Sequence, residues 1–195
     1  SVGISALADG TDGELITWDA SGAAATVGVG TATNVLTSNG AGAAPTFQPG
    51  PGPAVRVYND ANQSIANATT TDLTFNSERF DTDSMHSTAS NTERLTATTA
   101  GIYVIFANAG FASNTTGYRE INIKYNGSTY ICRVKKTPTA AIGEADFTAS
   151  CLYELAATDY VTVNVYQTSG GALNSVTTGN FIPEFGMAWV APASS

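Results

Sequence analysis

Beyond residue 53 the chain alternates apolar and polar residues at a period of two, segment after segment. In REINIKYNGSTYICRVKK, Ile121, Ile123 and Tyr125 alternate with Glu120, Asn122 and Lys124. Asn126-Gly127 follows, a pair that tolerates the positive φ angles of a type I′ hairpin turn. The return strand places Tyr130, Cys132 and Val134 opposite in face to Ile131, Arg133 and Lys135. EADFTASCLYEL puts Phe147, Ala149, Cys151, Tyr153 and Leu155 on one face, and YVTVNVYQT alternates Val161, Val163 and Val165 with Thr162, Asn164 and Tyr166. FIPEFGMAWVAP aligns Phe185, Met187 and Trp189. GIYVIFANAGF is apolar on both faces, which predicts a central strand covered on both sides. No segment carries a helical period. Many short alternating strands separated by turn residues predict an all-β sandwich, barrel or jelly roll over residues 54–195.

Residues 1–53 follow another rule. They hold ten of the nineteen glycines and four of the seven prolines. GTDGELITWDASGAAATV, at 10–27, aligns without a gap on GTATNVLTSNGAGAAPTF, at 30–47. A flexible linker has no need to keep an apolar pair in register with a turn. Each copy reads as a short strand and a Gly/Ala turn that lies on an outside surface, with Leu15, Ile16, Trp18, Val35, Leu36 and Phe47 as docking residues. So few large apolar side chains cannot build a core of their own. PTFQPGPGP, at 45–53, marks the end of this extended arm, because dense Pro and Gly continue neither strand nor helix.

Charge narrows the partners. The net charge is −8, which opposes a phosphate backbone, so nucleic acid is not expected. No Lys or Arg precedes Arg56, which argues against a signal peptide. No apolar run approaches the roughly 20 residues of a membrane-spanning helix, so membrane insertion is not expected either.

Catalytic chemistry finds little to work with. The single histidine, His86, reads as a polar loop residue, and no nucleophile–base pair, metal triad or phosphate loop can be assembled. The chain is therefore not expected to be an enzyme, and no cofactor is implied. Glu78, Asp81 and Asp83 cluster in the same loop as candidate oxygen ligands for calcium, without the spacing of a helix-loop-helix site. Sequons at Asn62, Asn67, Asn114 and Asn126 arise readily by chance in a chain so rich in Asn, Ser and Thr.

Two resemblances add to this reading. TAGIYVIFANAGF, LAATDYVTVNVYQ and FIPEFGMAWV resemble, in order, three strands of the complement globular-head and tumour-necrosis-factor-like jelly rolls, over about residues 54–192. That resemblance implies a ten-strand jelly-roll β-sandwich assembling as a tight homotrimer. Tyr103, Phe106, Phe111, Phe181, Phe185 and Trp189 lie on the two strands that would line the trimer axis, and for about half of them ordinary core is the competing reading. It also places Cys132 and Cys151 on strands of opposite sheets, where they meet across the core as buried thiols or as a disulfide. The repeats at 10–27 and 30–47 are similar to short repeats of bacteriophage tail, fibre and head-surface proteins.

Together these lead to the expectation of a bacteriophage virion structural protein on the outer surface of the particle, assembled in the host cytoplasm. A capsid decoration (cement) protein is the first role, with the arm bound to the major capsid protein or another virion protein. A receptor-binding tip of a tail or head fibre, engaging a host surface receptor, is the alternative. A secreted complement-type binding module is the second alternative.

Overall fold

The computed structural model describes residues 12–32, 34–48, 50, 52–138, 145–177 and 183–194. The chain divides between residues 51 and 52 into two compact units.

In the first unit each repeat folds back on itself as a hairpin. β1 (Leu15–Trp18) pairs antiparallel with β2 (Ala24–Val27), and β3 (Val35–Thr37) with β4 (Thr46–Gln48). The sequence led us to expect one strand per repeat. The second strand forms because the residue opening each turn pins it. Asp19 Oδ1 accepts the N–H groups of Ser21 and Ala23, both at 2.9 Å. At the aligned position, Asn39 Nδ2 donates to Ala44 O at 2.8 Å and to Thr46 Oγ1 at 3.0 Å. Asx side chains that bond to the nearby backbone are a general route to tight turns. The Ser21 hydroxyl also donates to Asp19 Oδ1 at 2.6 Å, and it foremost, then the Ala23 and Ser21 N–H groups, hold the Asp19 carboxyl below its usual range. Val27 is buried, whereas Leu15, Ile16, Trp18, Val35 and Leu36 remain exposed. Phe47 is half-buried with its ring against Gly30, where any Cβ would collide at 2.6 Å.

The second unit is an antiparallel sandwich. Its strands are β5 (Ala54–Tyr58), β6 (Ser64–Ile65), β7 (Thr71–Asp72), β8 (Ser77–Asp81), β9 (Arg94–Thr96), β10 (Gly101–Phe111), β11 (Arg119–Tyr125), β12 (Thr129–Lys136), β13 (Ala145–Leu155), β14 (Tyr160–Gln167), β15 (Leu173–Asn174) and β16 (Glu184–Ala191). One sheet runs β13-β10-β16-β5-β8. The other runs β12-β11-β14-β7, with β9 also on β14. Among the described residues there is no helix. The alternating apolar positions of both sheets face each other. Ile105, Phe185, Met187, Val55 and Val57 from the first meet Ile121, Ile123, Val161, Val163 and Val165 from the second, all at most 1 % exposed.

The hairpin turn forms as its sequence requires. Asn126 and Gly127 take φ of 45° and 69°, and Ser128 N–H donates to Tyr125 O at 3.1 Å. One expectation fails in the return strand. Ile123 pairs with Cys132 but Lys124 pairs with Tyr130, so Ile131 is an extra residue. This bulge sends Tyr130 to the outside, where Lys124 and Arg133 lie over its ring. A bulge reverses the alternation on one side of it.

Candidate functional site

Strand register arranges the outer face of the β13-β10-β16-β5-β8 sheet into rows. The first row is Leu152, Val104, Ala188 and Ala54. The second is Ser150, Phe106, Gly186, Arg56 and Phe80, and the third is Thr148, Asn108, Glu184, Tyr58 and Ser77. The first two rows are largely apolar and open: Leu152 is 65 % exposed, Phe80 48 % and Val104 37 %. Val190, the extra residue at a bulge against Ile102 and Tyr103, adds to them with 51 % exposed. Phe106 lies flat across Gly186, where a Cβ would come within 2.5 Å of its ring and 2.9 Å of Val55 O. The sheet thus builds a smooth apolar strip, and a missing side chain in β16 makes room for it.

The third row is polar, and its centre is closed. Glu184 is 1 % exposed. Arg56 Nε donates to its Oε2 at 3.0 Å and Arg79 Nε to its Oε1 at 3.1 Å. Arg79 reaches this face because it is the extra residue where Arg56 pairs with Phe80 and Val57 with Glu78. Its guanidinium stacks on the Tyr58 ring at 3.9 Å. Two guanidinium groups on one buried carboxylate leave a local excess of one positive charge on a chain of net −8. Beside them, Asn108 Oδ1 is buried without a hydrogen-bond partner.

The aromatic residues proposed for a trimer axis divide. Tyr103, Phe111 and Phe185 fill the protomer's own core at 0 %, 1 % and 0 % exposure. Tyr103 donates its hydroxyl to Thr99 O at 2.6 Å, Phe111 meets Phe147 edge to face, and Phe185 tilts on Phe75. Trp189 is half-buried against Gly52 and Gly101, with Nε1 donating to Ala100 O at 3.1 Å. Phe106 is the one that lies on the outer face, and Phe181 lies outside the described residues. Sequence reading missed Val104, Leu152 and Phe80. The signal was there for Val104, in a strand apolar at odd and even positions alike.

The acidic loop is already occupied by protein donors. Asp81 accepts the N–H groups of Asp83, Met85 and His86 at 3.1, 3.0 and 2.9 Å. Asp83 accepts the Thr98 hydroxyl, and Glu78 Oε1 lies 2.9 Å from His86 Nδ1. Each of these carboxylates is engaged by protein groups, and among the described residues no three acidic, Cys or His side chains converge as a metal site.

Cys132 and Cys151 are both half-buried and carry free thiols. They belong to different sheets, with Cys132 Sγ 3.5 Å from Ser150 O. Burial, then the charge of Cys132 and a hydrogen bond with it, push the Cys151 thiol up to about 11.

No family model matches the sequence, and no curated protein matches it either. The fold has clear counterparts. The structure of Eiger TNF from S. frugiperda superimposes with a TM-score of 0.56 at 13 % identity, over 74 % of this chain and 96 % of that one. The crystal structure of murine APRIL at pH 8.5 gives 0.54 at 10 % identity, over 71 % of this chain and 98 % of that one. Identity this low speaks for architecture alone, and the second unit has the architecture of a TNF-like jelly roll.

Proposed function

We propose that the chain is a homotrimeric structural protein of a bacteriophage particle, a decoration protein whose jelly roll self-associates and whose arm holds the shell. The observation that supports self-association is the strip of exposed Val104, Leu152 and Phe80 around half-buried Phe106, on one sheet face and levelled by Gly186. Water is expelled from such a strip when another copy covers it, at roughly 25 cal/mol per Å² of apolar surface. Obligate interfaces typically bury above about 2,000 Å².

The virion setting rests on the paired repeat. Two hairpins, each with an exposed apolar pair, suit a partner surface that itself repeats. Two weak contacts on one arm gain affinity through effective concentration.

Light scattering of the purified chain should return three times the 20.0 kDa of one protomer. Leu152→Glu, fully tolerated by the protomer because the position is exposed, should return a monomer. A wild-type monomer at micromolar concentration would contradict the trimer. Particles lacking the protein should release DNA at lower temperature than complete ones, since a ligand of the assembled shell stabilises it. Unchanged release, together with saturable binding of the chain to host cells, would favour the fibre-tip role instead.

A further inference from the structure

A hollow of about 170 Å³ opens in the second unit where the loop between β8 and β9 meets β9. Its walls carry the hydroxyls of Ser84, Ser87, Ser90 and Thr96, the amide of Asn91 and the guanidinium of Arg94. Met85, 1 % exposed, adds an apolar stretch. The size suits one small polar molecule and falls below sites for drug-sized ligands, which run from about 300 Å³ upward.

Three features separate this hollow from an ordinary loop crevice. First, it is pre-formed: the Asp81 carboxylate grips three loop N–H groups, those of Asp83, Met85 and His86, and Ser84 and Asn91 are held at φ of 54° and 49°. Left-handed backbone at a serine persists only where its surroundings over-determine it. Second, much of its polar lining is unspent: the Ser87 and Ser90 hydroxyls bond each other at 3.4 Å and Ser87 Oγ accepts the N–H groups of Ala89 and Ser90, but the remaining groups stand open. Of the five arginines, Arg94 alone has a guanidinium with no hydrogen bond or ion pair among the described residues, and it is steadied instead 4.9 Å over the Tyr160 ring. Among the described residues the side chains of Ser84, Asn91 and Thr96 likewise make no hydrogen bond. Third, His86 in the same wall is fully used, between Glu78 Oε1 at 2.9 Å and Thr92 O at 3.3 Å, so the open groups are a distinct set.

Charge selects the ligand class. Glu78, Asp81, Asp83 and Glu93 in and beside this loop outnumber Arg94, so a free anion is repelled. A cation finds Asp81 aimed at N–H groups and Arg94 in its way. A neutral molecule rich in hydroxyls matches what remains: donors from Arg94 and Asn91, donor–acceptor hydroxyls from Ser84 and Thr96, and one apolar contact from Met85.

We propose that this hollow binds a single neutral sugar residue, with Arg94 and Asn91 as its principal hydrogen-bonding groups. This reading is independent of the trimer and of the arm.

The test titrates the ¹⁵N-labelled full chain with methyl glycosides of glucose, galactose, mannose and N-acetylglucosamine, and separately with glucuronate, and follows the backbone amides in relaxation-optimised spectra. At least one neutral glycoside should shift the amides of residues 84–96 saturably at millimolar concentration. Arg94→Gln should weaken that binding at least tenfold. Asn91→Gly, which keeps the positive φ and removes only the amide, should weaken it severalfold with the rest of the spectrum unchanged. Failure of all four neutral glycosides to shift these amides overturns the proposal. So does binding that survives both substitutions, or glucuronate binding more tightly than every neutral sugar.

Discussion

Replacing Glu184 with Gln tests whether the third row of the sheet is held by charge. Gln preserves the shape and can still accept a hydrogen bond. It removes the charge that Arg56 and Arg79 share. The carboxylate is sealed, with 0 % of its side chain exposed, while the arginines keep 38 % and 27 %. A pair of unit charges near 4 Å is worth about 4 kcal/mol at the effective dielectric of a protein surface. Water still reaches both guanidinium groups and takes back much of that on removal. Breaking a wholly buried pair costs about 3–5 kcal/mol, so a site open on one side should lose about 2 kcal/mol. For a chain of this length that lowers the melting temperature by roughly 4–8 °C. The assay is thermal unfolding by circular dichroism at one fixed protomer concentration, because association would make the midpoint concentration-dependent. Removing both arginines should cost more than the two single changes added together, since only the double variant leaves a sealed carboxylate with no partner. A Glu184→Gln variant melting within a degree of the parent would refute the reasoning.

Three further outcomes follow from other parts of the molecule. Gly186→Ala should destabilise by about 1–3 kcal/mol in urea, as overpacking does; the Phe106 ring can swing away but Val55 O, 2.9 Å from the new Cβ, is backbone. An unchanged midpoint would show that the β16 glycine is dispensable. Alkylation of Cys151 by iodoacetamide should rise with pH towards a midpoint of about 11 rather than the ordinary 9.0, because the thiolate is the reacting species and burial disfavours it. The stabilisation it gives is complete below 9.0 and lost as pH rises through 11; rapid alkylation at neutral pH would contradict this. At Asp159, burial pushes the carboxyl up, but donors from Asn126, the Ala156 N–H and Tyr125 outweigh it and hold it below 3.8. Its contribution is therefore present above 3.8 and lost as pH falls through the lower folded value. Amide exchange at Asn126 and Tyr160, which bond to each other's strand ends, should stay slow at mildly acidic pH and quicken below about pH 4; quickening already near neutrality would contradict it.

Period-two alternation determined most of the second unit by itself. Val161, Val163 and Val165 face inward because a strand's side chains alternate whatever its neighbours are, and Asn126-Gly127 makes its turn because both residues accept positive φ. The same local logic exposed the repeat of the arm, though not its second strands, which depend on side-chain bonds from Asp19 and Asn39 across four or more residues. Tertiary structure decided the rest. Alternation says that Phe106 and Phe185 face opposite ways, but not which of the two faces a neighbouring sheet will cover. That choice made Tyr103, Phe111 and Phe185 core and left Phe106 and Val104 outside. Bulges at Arg79, Ile131 and Val190 shift register by one residue, and nothing in the local composition announces them. Burial of charge is equally non-local. Arg119, at the start of β11, is 0 % exposed and donates to the carbonyls of Asn114, Thr116 and Tyr118, a burial no local pattern signals. Glu184 is sealed because Arg56 and Arg79 converge on it from positions more than a hundred residues away in the chain, and a sequence pattern has no term for groups that meet only once the sheet has closed.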